Sequence, residues 1–179
     1  ENYFDSYLNA IDEVGKINKE KNLVNGVSIK ISALHPRYEM RKFAELESEL
    51  LPKLSELINY AYSENVEITI DAEEQDRLSI SLHIIEKLAK EKLIKDWPGF
   101  GIALQAYGKR SFDVIDWLNN LINKRTNMHL RLVKGAYWDY EIKHAQVLGY
   151  EDYPVFSKKS VTDIVYLACA KEILKNKNI

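Results

Sequence analysis

The sequence predicts an α/β fold, part of a (β/α)8 barrel of TIM type, with about four βα units and a lead-in helix. Three observations carry this prediction. Apolar residues at helical spacing alternate with short β-rich runs, strands separated by helices must run parallel, and each strand has one greasy face and one polar or small face. In a doubly wound sheet both faces meet helices and both are apolar. A barrel covers its outside with helices and turns the other face towards a lumen.

The lead-in helix spans 3–19, with Phe4, Leu8, Ile11 and Val14 on one stripe. The first strand, 27–31, sets Val27, Ile29 and Ile31 against Ser28 and Lys30. A loop containing His35-Pro36-Arg37 leads to a helix over 43–64. In the strand 66–71, Ile68 and Ile70 oppose Glu67, Thr69 and Asp71. A loop over 72–76 and a helix over 77–92 follow. The third strand, 101–105, opposes Ile102 and Leu104 to Gly101, Ala103 and Gln105, and a helix over 111–124 comes next. The fourth strand, 129–133, opposes Leu130 and Leu132 to His129, Arg131 and Val133. Helices over 139–148 and 159–175 complete the pattern, separated by Tyr153-Pro154. No Gly/Ser linker divides the chain, so residues 1–179 read as one unit.

Composition narrows the function classes. The 179 residues carry 25 Lys+Arg against 27 Asp+Glu, a net charge of −2, which offers no field to gather nucleic acid or anionic lipid. A hydrophobic fraction of 46% with 29% charged residues is that of a folded protein, with no uncharged run long enough for a membrane span. The single cysteine, Cys169, leaves no intrachain disulfide framework and no multi-cysteine metal site, and no metal is expected. The cytoplasm is the expected compartment.

The polar strand faces call for a ligand. A lumen normally fills with branched aliphatics, yet Lys30, Asp71, Gln105 and Arg131 all fall at or near the C-terminal ends of their strands, where (β/α) barrels carry their chemistry. A bound polar ligand accounts for them. The alternative is an ion network that satisfies itself, Lys30 with Asp71 and Arg131 with another carboxylate.

Specific motifs sit on this frame. Val27-Ser28-Ile29-Lys30-Ile31-Ser32-Ala33-Leu34-His35-Pro36-Arg37-Tyr38, Thr69-Ile70-Asp71-Ala72-Glu73-Glu74, Gln105-Ala106-Tyr107, Arg131-Leu132-Val133-Lys134-Gly135-Ala136-Tyr137-Trp138-Asp139 and Tyr153-Pro154-Val155-Phe156-Ser157-Lys158-Lys159 are ordered along almost the whole chain. Together they resemble the proline dehydrogenase domain of the bifunctional proline utilization A (PutA) flavoenzymes. The resemblance implies a distorted (β/α) barrel that holds FAD and oxidises L-proline to Δ1-pyrroline-5-carboxylate by hydride transfer, passing electrons to a quinone at the membrane. It implies a parent protein that can sit peripherally on the inner membrane face. Carried over by position, Lys30, Asp71 and Arg131 are the catalytic candidates, and Lys30, Asp71 and Tyr137 face the substrate. Arg131 lies beside the reactive edge of the flavin, where a fixed cation favours the reduced ring. The expected cofactor-binding set is Asp71, Ala72, Ala103, Gln105, Arg131, Val133, Gly135, Ala136, Tyr137, Trp138 and Ser157, the last where the family commonly has threonine.

Other residues are expected to be structural. Glu73 reads as a structural partner of the site, His35 as a packing or surface residue, and Cys169 as buried and inert at helical spacing with Ile164, Val165 and Leu167. Four strands are half of a barrel, and the chain opens inside a helical pattern, so it reads as the N-terminal half-barrel of a longer protein. The family's later strands supply more of the FAD site. A half-barrel alone is expected to be incomplete and inactive, with an open edge that favours homo-oligomers. Two other readings remain open: an inactive structural module that self-associates, and a Schiff-base barrel aldolase acting through Lys30 or Lys134.

Overall fold

The ladder that organises the molecule is parallel throughout. In the computed structural model, which describes residues 3–123 and 127–179, four strands lie in the order β1-β2-β3-β4. They are β1 (Gly26–Ile29), β2 (Glu67–Ile70), β3 (Phe100–Gln105) and β4 (His129–Val133). Ser28 stands opposite Thr69, Thr69 opposite Gly101 and Gly101 opposite His129. The helices are α1 (Tyr3–Lys21), α2 (Phe43–Glu64), α3 (Leu78–Ala89), α4 (Ser111–Ile122), α5 (Trp138–Val147) and α6 (Lys159–Ile173). The predicted helix over 111–124 ends at Ile122 in the ladder of main-chain bonds, and Lys124 lies outside the described residues.

The first strand is shorter than its alternation predicts. Asp71 N–H donates to the carbonyl of Ile29. Past that bond Ser32 N–H turns to the Glu73 carboxylate instead, and Ile31–Ala33 coils into a short 3-10 turn. Lys30 therefore stands just beyond the strand, its N–H donating to the Tyr7 hydroxyl of α1 at 2.9 Å. A side-chain acceptor replaces the next strand, and the sheet stops there.

The two faces divide as a barrel requires. Ile29, Ile68, Ile70 and Ile102 are buried with Leu46, Leu50, Leu54, Ile80 and Ile84 of α2 and α3, which makes the helix-covered outside the main core. On the other face Thr69 Oγ1 meets His129 Nε2 at 2.8 Å, across β3. Gly101 makes this crossing possible, because a Cβ there would sit 2.1 Å from the His129 ring. Arg131 reaches farther, donating to Ser28 Oγ on β1 at 2.7 Å. Three strand spacings of about 4.8 Å put β1 and β4 about 14 Å apart in a flat sheet, more than an arginine and a serine can bridge. The sheet is curled into a wall around a lumen.

One expectation about α6 is overturned. Cys169 is fully buried, but Ile164 and Leu167 are 67% and 68% exposed. At 100° per residue Thr162, Val165, Cys169 and Ile173 line the inward stripe, and positions two and five residues before Cys169 point away. The second core cluster joins Cys169 to Ala106, Val114 and Ile115 beneath β3 and α4.

Candidate active site

The loops that follow the four strands meet over the C-terminal end of the sheet, and polar side chains stitch them together. Glu73, after β2, is buried; its Oε1 accepts Ser32 N–H at 2.9 Å and its Oε2 accepts Arg77 Nη1 at 2.9 Å. Gln105, at the end of β3, donates through Nε2 to the Glu73 carbonyl at 2.8 Å and accepts Ala136 N–H at Oε1 at 3.0 Å. The predicted role of Glu73 as a structural partner stands on these bonds. Gln105 is expected as a flavin hydrogen-bonding residue, and the fold uses it first as a bridge between loops. One of its amide hydrogens remains for a ligand.

Arg131 and Asp71 form an ion pair. Their side chains stay 46% and 31% exposed, open to the lumen. They line a cleft of about 290 Å³ together with Ala72, Ala103, Gln105, Val133, Gly135, Ala136 and Tyr137. Four of its wall residues, Ala72, Ala103, Gly135 and Ala136, are small. A second cleft, of about 480 Å³, shares Lys134 and Gly135 with the first and adds Tyr107, Trp138, Ser157, Lys159 and Thr162. All eleven residues expected to touch a cofactor fall on these two adjoining clefts.

Gly135 is the joint between them. Its φ of +143° is a conformation that L side chains rarely adopt, and a Cβ would lie 2.4 Å from the Tyr107 ring. The main chain of the 133–136 segment therefore lies flat against Tyr107. Ala106 and Tyr107 N–H donate to the carbonyls of Val133 and Lys134 at 2.8 and 2.7 Å, and Trp138 Nε1 donates to Phe156 O at 2.9 Å.

Lys30 is placed differently from the self-satisfied network. It makes no ion pair with Asp71, which is taken by Arg131. The Lys30 ammonium instead sits 5.5 Å from the centre of the Tyr137 ring. Its own surroundings form a third cleft of about 610 Å³, with Tyr7, Ser32 and His35. Burial pulls its pKa down, but the Tyr137 phenol and the Glu73 and Glu74 carboxylates outweigh that and leave it raised. Lys134 is raised too, by its hydrogen bond and charge pairing with Asp163. A Schiff-base amine needs the opposite shift, and neither lysine shows one.

The largest feature missed by sequence reading is cationic. Lys134 and Lys159 share the two oxygens of Asp163, at 2.5 and 2.7 Å. Two ammonium groups face one carboxylate, leaving a surplus positive charge beside the Ser157 and Thr162 hydroxyls. The same point is the N-terminus of α6, whose preceding residue Lys158 gives no side-chain cap. Exposed N–H groups and the helix dipole there favour an anion. The Lys158-Lys159 pair at the start of the helix was the available signal.

His35 is buried, with Nε2 3.4 Å from Glu49 and Nδ1 accepting Arg37 N–H at 3.2 Å. Among the described residues, His35, Glu45 and Glu49 are the group whose ligand atoms lie close enough together to hold a metal. The Nδ1 acceptor role places the ring proton on Nε2, facing Glu49, and Glu45 is already paired with Lys42 and Arg37. His35 is a packing residue here, as its loop position suggests.

Comparison with known proteins accords with this geometry. The proline dehydrogenase family profile matches residues 1–179. The chain belongs to the proline dehydrogenase family. It is 47% identical over 180 residues to the bifunctional protein PutA of Klebsiella aerogenes and equally to that of Escherichia coli, in each case covering 99% of this chain and 14% of the relative. It thus spans about one seventh of those curated relatives. A Bradyrhizobium japonicum proline utilization A structure superposes with a TM-score of 0.92 at 44% identity, over 97% of this chain and 18% of that one. A Bdellovibrio bacteriovorus proline utilization A, described as inactivated by N-propargylglycine, matches with a TM-score of 0.90 at 28% identity, over 98% of this chain and 20% of that one. The four parallel strands are therefore strands of a TIM-barrel-like proline dehydrogenase domain.

Proposed function

We propose that the protein carrying this chain oxidises L-proline to Δ1-pyrroline-5-carboxylate with FAD as the resident cofactor, and passes the electrons to a quinone. The observation that carries this reading is the pair of adjoining clefts, one with the Arg131–Asp71 pair set in a small-residue wall and the other with surplus cationic charge at a helix N-terminus. That division suits a dinucleotide: a flat ring beside Arg131, and a diphosphate near Lys134, Lys159 and the first turn of α6. FAD, when bound, supplies the two-electron acceptor.

The chain's own groups do the rest. Ala72, Ala103, Gly135 and Ala136 leave a flat wall with room for a ring system. Arg131 holds a positive charge beside it, favouring electron density that arrives there. Asp71 fixes the guanidinium, and Ser28 Oγ takes its other arm at 2.7 Å. Tyr137 offers an aromatic face for the pyrrolidine ring, with the Lys30 ammonium behind it to attract the substrate carboxylate. Among the described residues no helix is long and apolar enough to cross a membrane.

The test is to purify the full-length protein, record its visible spectrum after gel filtration, and add L-proline anaerobically. Retained flavin bands that bleach on proline addition, with the imine product trapped by an aminobenzaldehyde, are the expected result. A colourless protein, or a flavin that proline does not reduce, would overturn the reading.

A further inference from the structure

Glu141 lies in the second turn of α5 and is 2% exposed, an unusual place for a carboxylate. Its Oε1 accepts the main-chain N–H of Gln75 at 2.7 Å, 66 residues away, in the loop that begins at Asp71. The carbonyl of the same Gln75 accepts Arg110 Nη2 at 2.5 Å from the start of α4. One residue of the Asp71 loop is thus gripped at its N–H by α5 and at its carbonyl by the residue that opens α4. Glu141 also sits one turn beyond Tyr137, whose carbonyl accepts Glu141 N–H at 2.9 Å. Any shift of Glu141 therefore carries Tyr137 and Trp138 with it.

We propose that Glu141 is a positioning residue for the proline site: its carboxylate holds the Tyr137–Trp138 wall at a set distance from the loop that bears Asp71. Buried carboxylates are costly, and a polar bond to a loop amide is obtainable from a neutral side chain or from water. Here the acceptor is a side-chain oxygen fixed on α5, which water cannot supply. It occurs where two of the loops lining one cleft must be kept in register. The ion pair of Arg131 with Asp71 involves one of these loops and the Lys30–Tyr137 contact the other. Loosening the clamp lets Asp71 and Tyr137 drift apart without touching either group.

The inference rests on the functional reading above, and its test separates the two. Glu141→Ala and Glu141→Gln are made in the full-length protein, and three quantities are read: amide exchange at Gln75 by mass spectrometry, FAD retention, and KM and kcat for proline. Glu141→Ala is expected to expose the Gln75 amide to exchange and to lower kcat/KM by about tenfold or more, the scale on which sub-ångström misplacement acts. Glu141→Gln keeps an oxygen acceptor and is expected to restore protection and most of the activity. Should Glu141→Ala not fold, a Glu141→Gln protein with the wild-type Gln75 exchange rate and KM supports the clamp, whereas one that exchanges freely yet turns over normally overturns it. Normal kcat/KM in a folded Glu141→Ala protein overturns it as well. A wild-type protein that neither holds FAD nor oxidises proline overturns the functional reading; the Gln75 exchange rates of the two variants then decide the clamp alone.

Discussion

Arg131 of β4 reaches over β3 to pair with Asp71, at the end of β2, while its other arm takes the Ser28 hydroxyl on β1. One side chain on β4 thus reaches groups at two other strands, on the face that looks into the lumen. Because both partners of the ion pair keep substantial exposure, the bond itself adds little to stability, about 0–1 kcal/mol. Asp71→Asn is therefore expected to unfold in urea close to wild type while kcat/KM for proline falls at least tenfold. A large loss of stability with unchanged turnover would show the pair to be structural.

On the proposed FAD reading, the Lys134–Asp163–Lys159 cluster marks where the cofactor's diphosphate is expected. Replacing both lysines by alanine is expected to weaken FAD binding and to flatten its dependence on salt, while leaving riboflavin, which has no phosphate, bound as before. Isothermal titration with both flavins at two ionic strengths reads this directly. Equal losses for the two ligands would place the diphosphate elsewhere.

Gly135 sets a steric limit. With φ at +143° and the Tyr107 ring 2.4 Å from the site of a Cβ, Gly135→Ala combines a strained main chain with overpacking. Each costs about 1–3 kcal/mol. Urea unfolding should show a loss in the range of their sum, and flavin retention should fall with it because Gly135 lines both clefts.

Burial, reinforced by the nearby Asp76 and Glu74, raises the carboxyl of Glu141 above the usual range, against the lowering effect of the Gln75 N–H. Between the unfolded value and this raised folded value, the folded state holds more protons than the unfolded chain. Stability must then fall as pH rises through that window. Glu141→Gln has no such proton, so it should unfold at a higher temperature than wild type above the window. The advantage should disappear below about pH 4, where the unfolded carboxyl is protonated too. A melting-temperature difference independent of pH would refute this assignment.

The strand faces that frame the candidate site were legible in local pattern. Period-two alternation separated Ile68 and Ile70 from Thr69 and Asp71, and Ile102 and Leu104 from Ala103 and Gln105, and the fold keeps those faces apart. The carried-over motifs placed all eleven cofactor candidates on two neighbouring clefts. The stripe of α6 was misread at Ile164 and Leu167 because an apolar residue at near-helical spacing can still fall on the outer side of a helix covered on one side only.

Sequence alone determined what depends on backbone period and residue type: parallel βα units, a greasy outside, a polar inner face, and the loops that carry the chemistry. Only the tertiary structure decided the partners. Asp71 pairs with Arg131 and not Lys30, Lys159 joins Lys134 on Asp163, and Glu141 finds the Gln75 amide. Alternation is a property of each strand by itself. Which side chains meet across the lumen depends on how far the sheet curls and where each loop is anchored, which no single segment encodes.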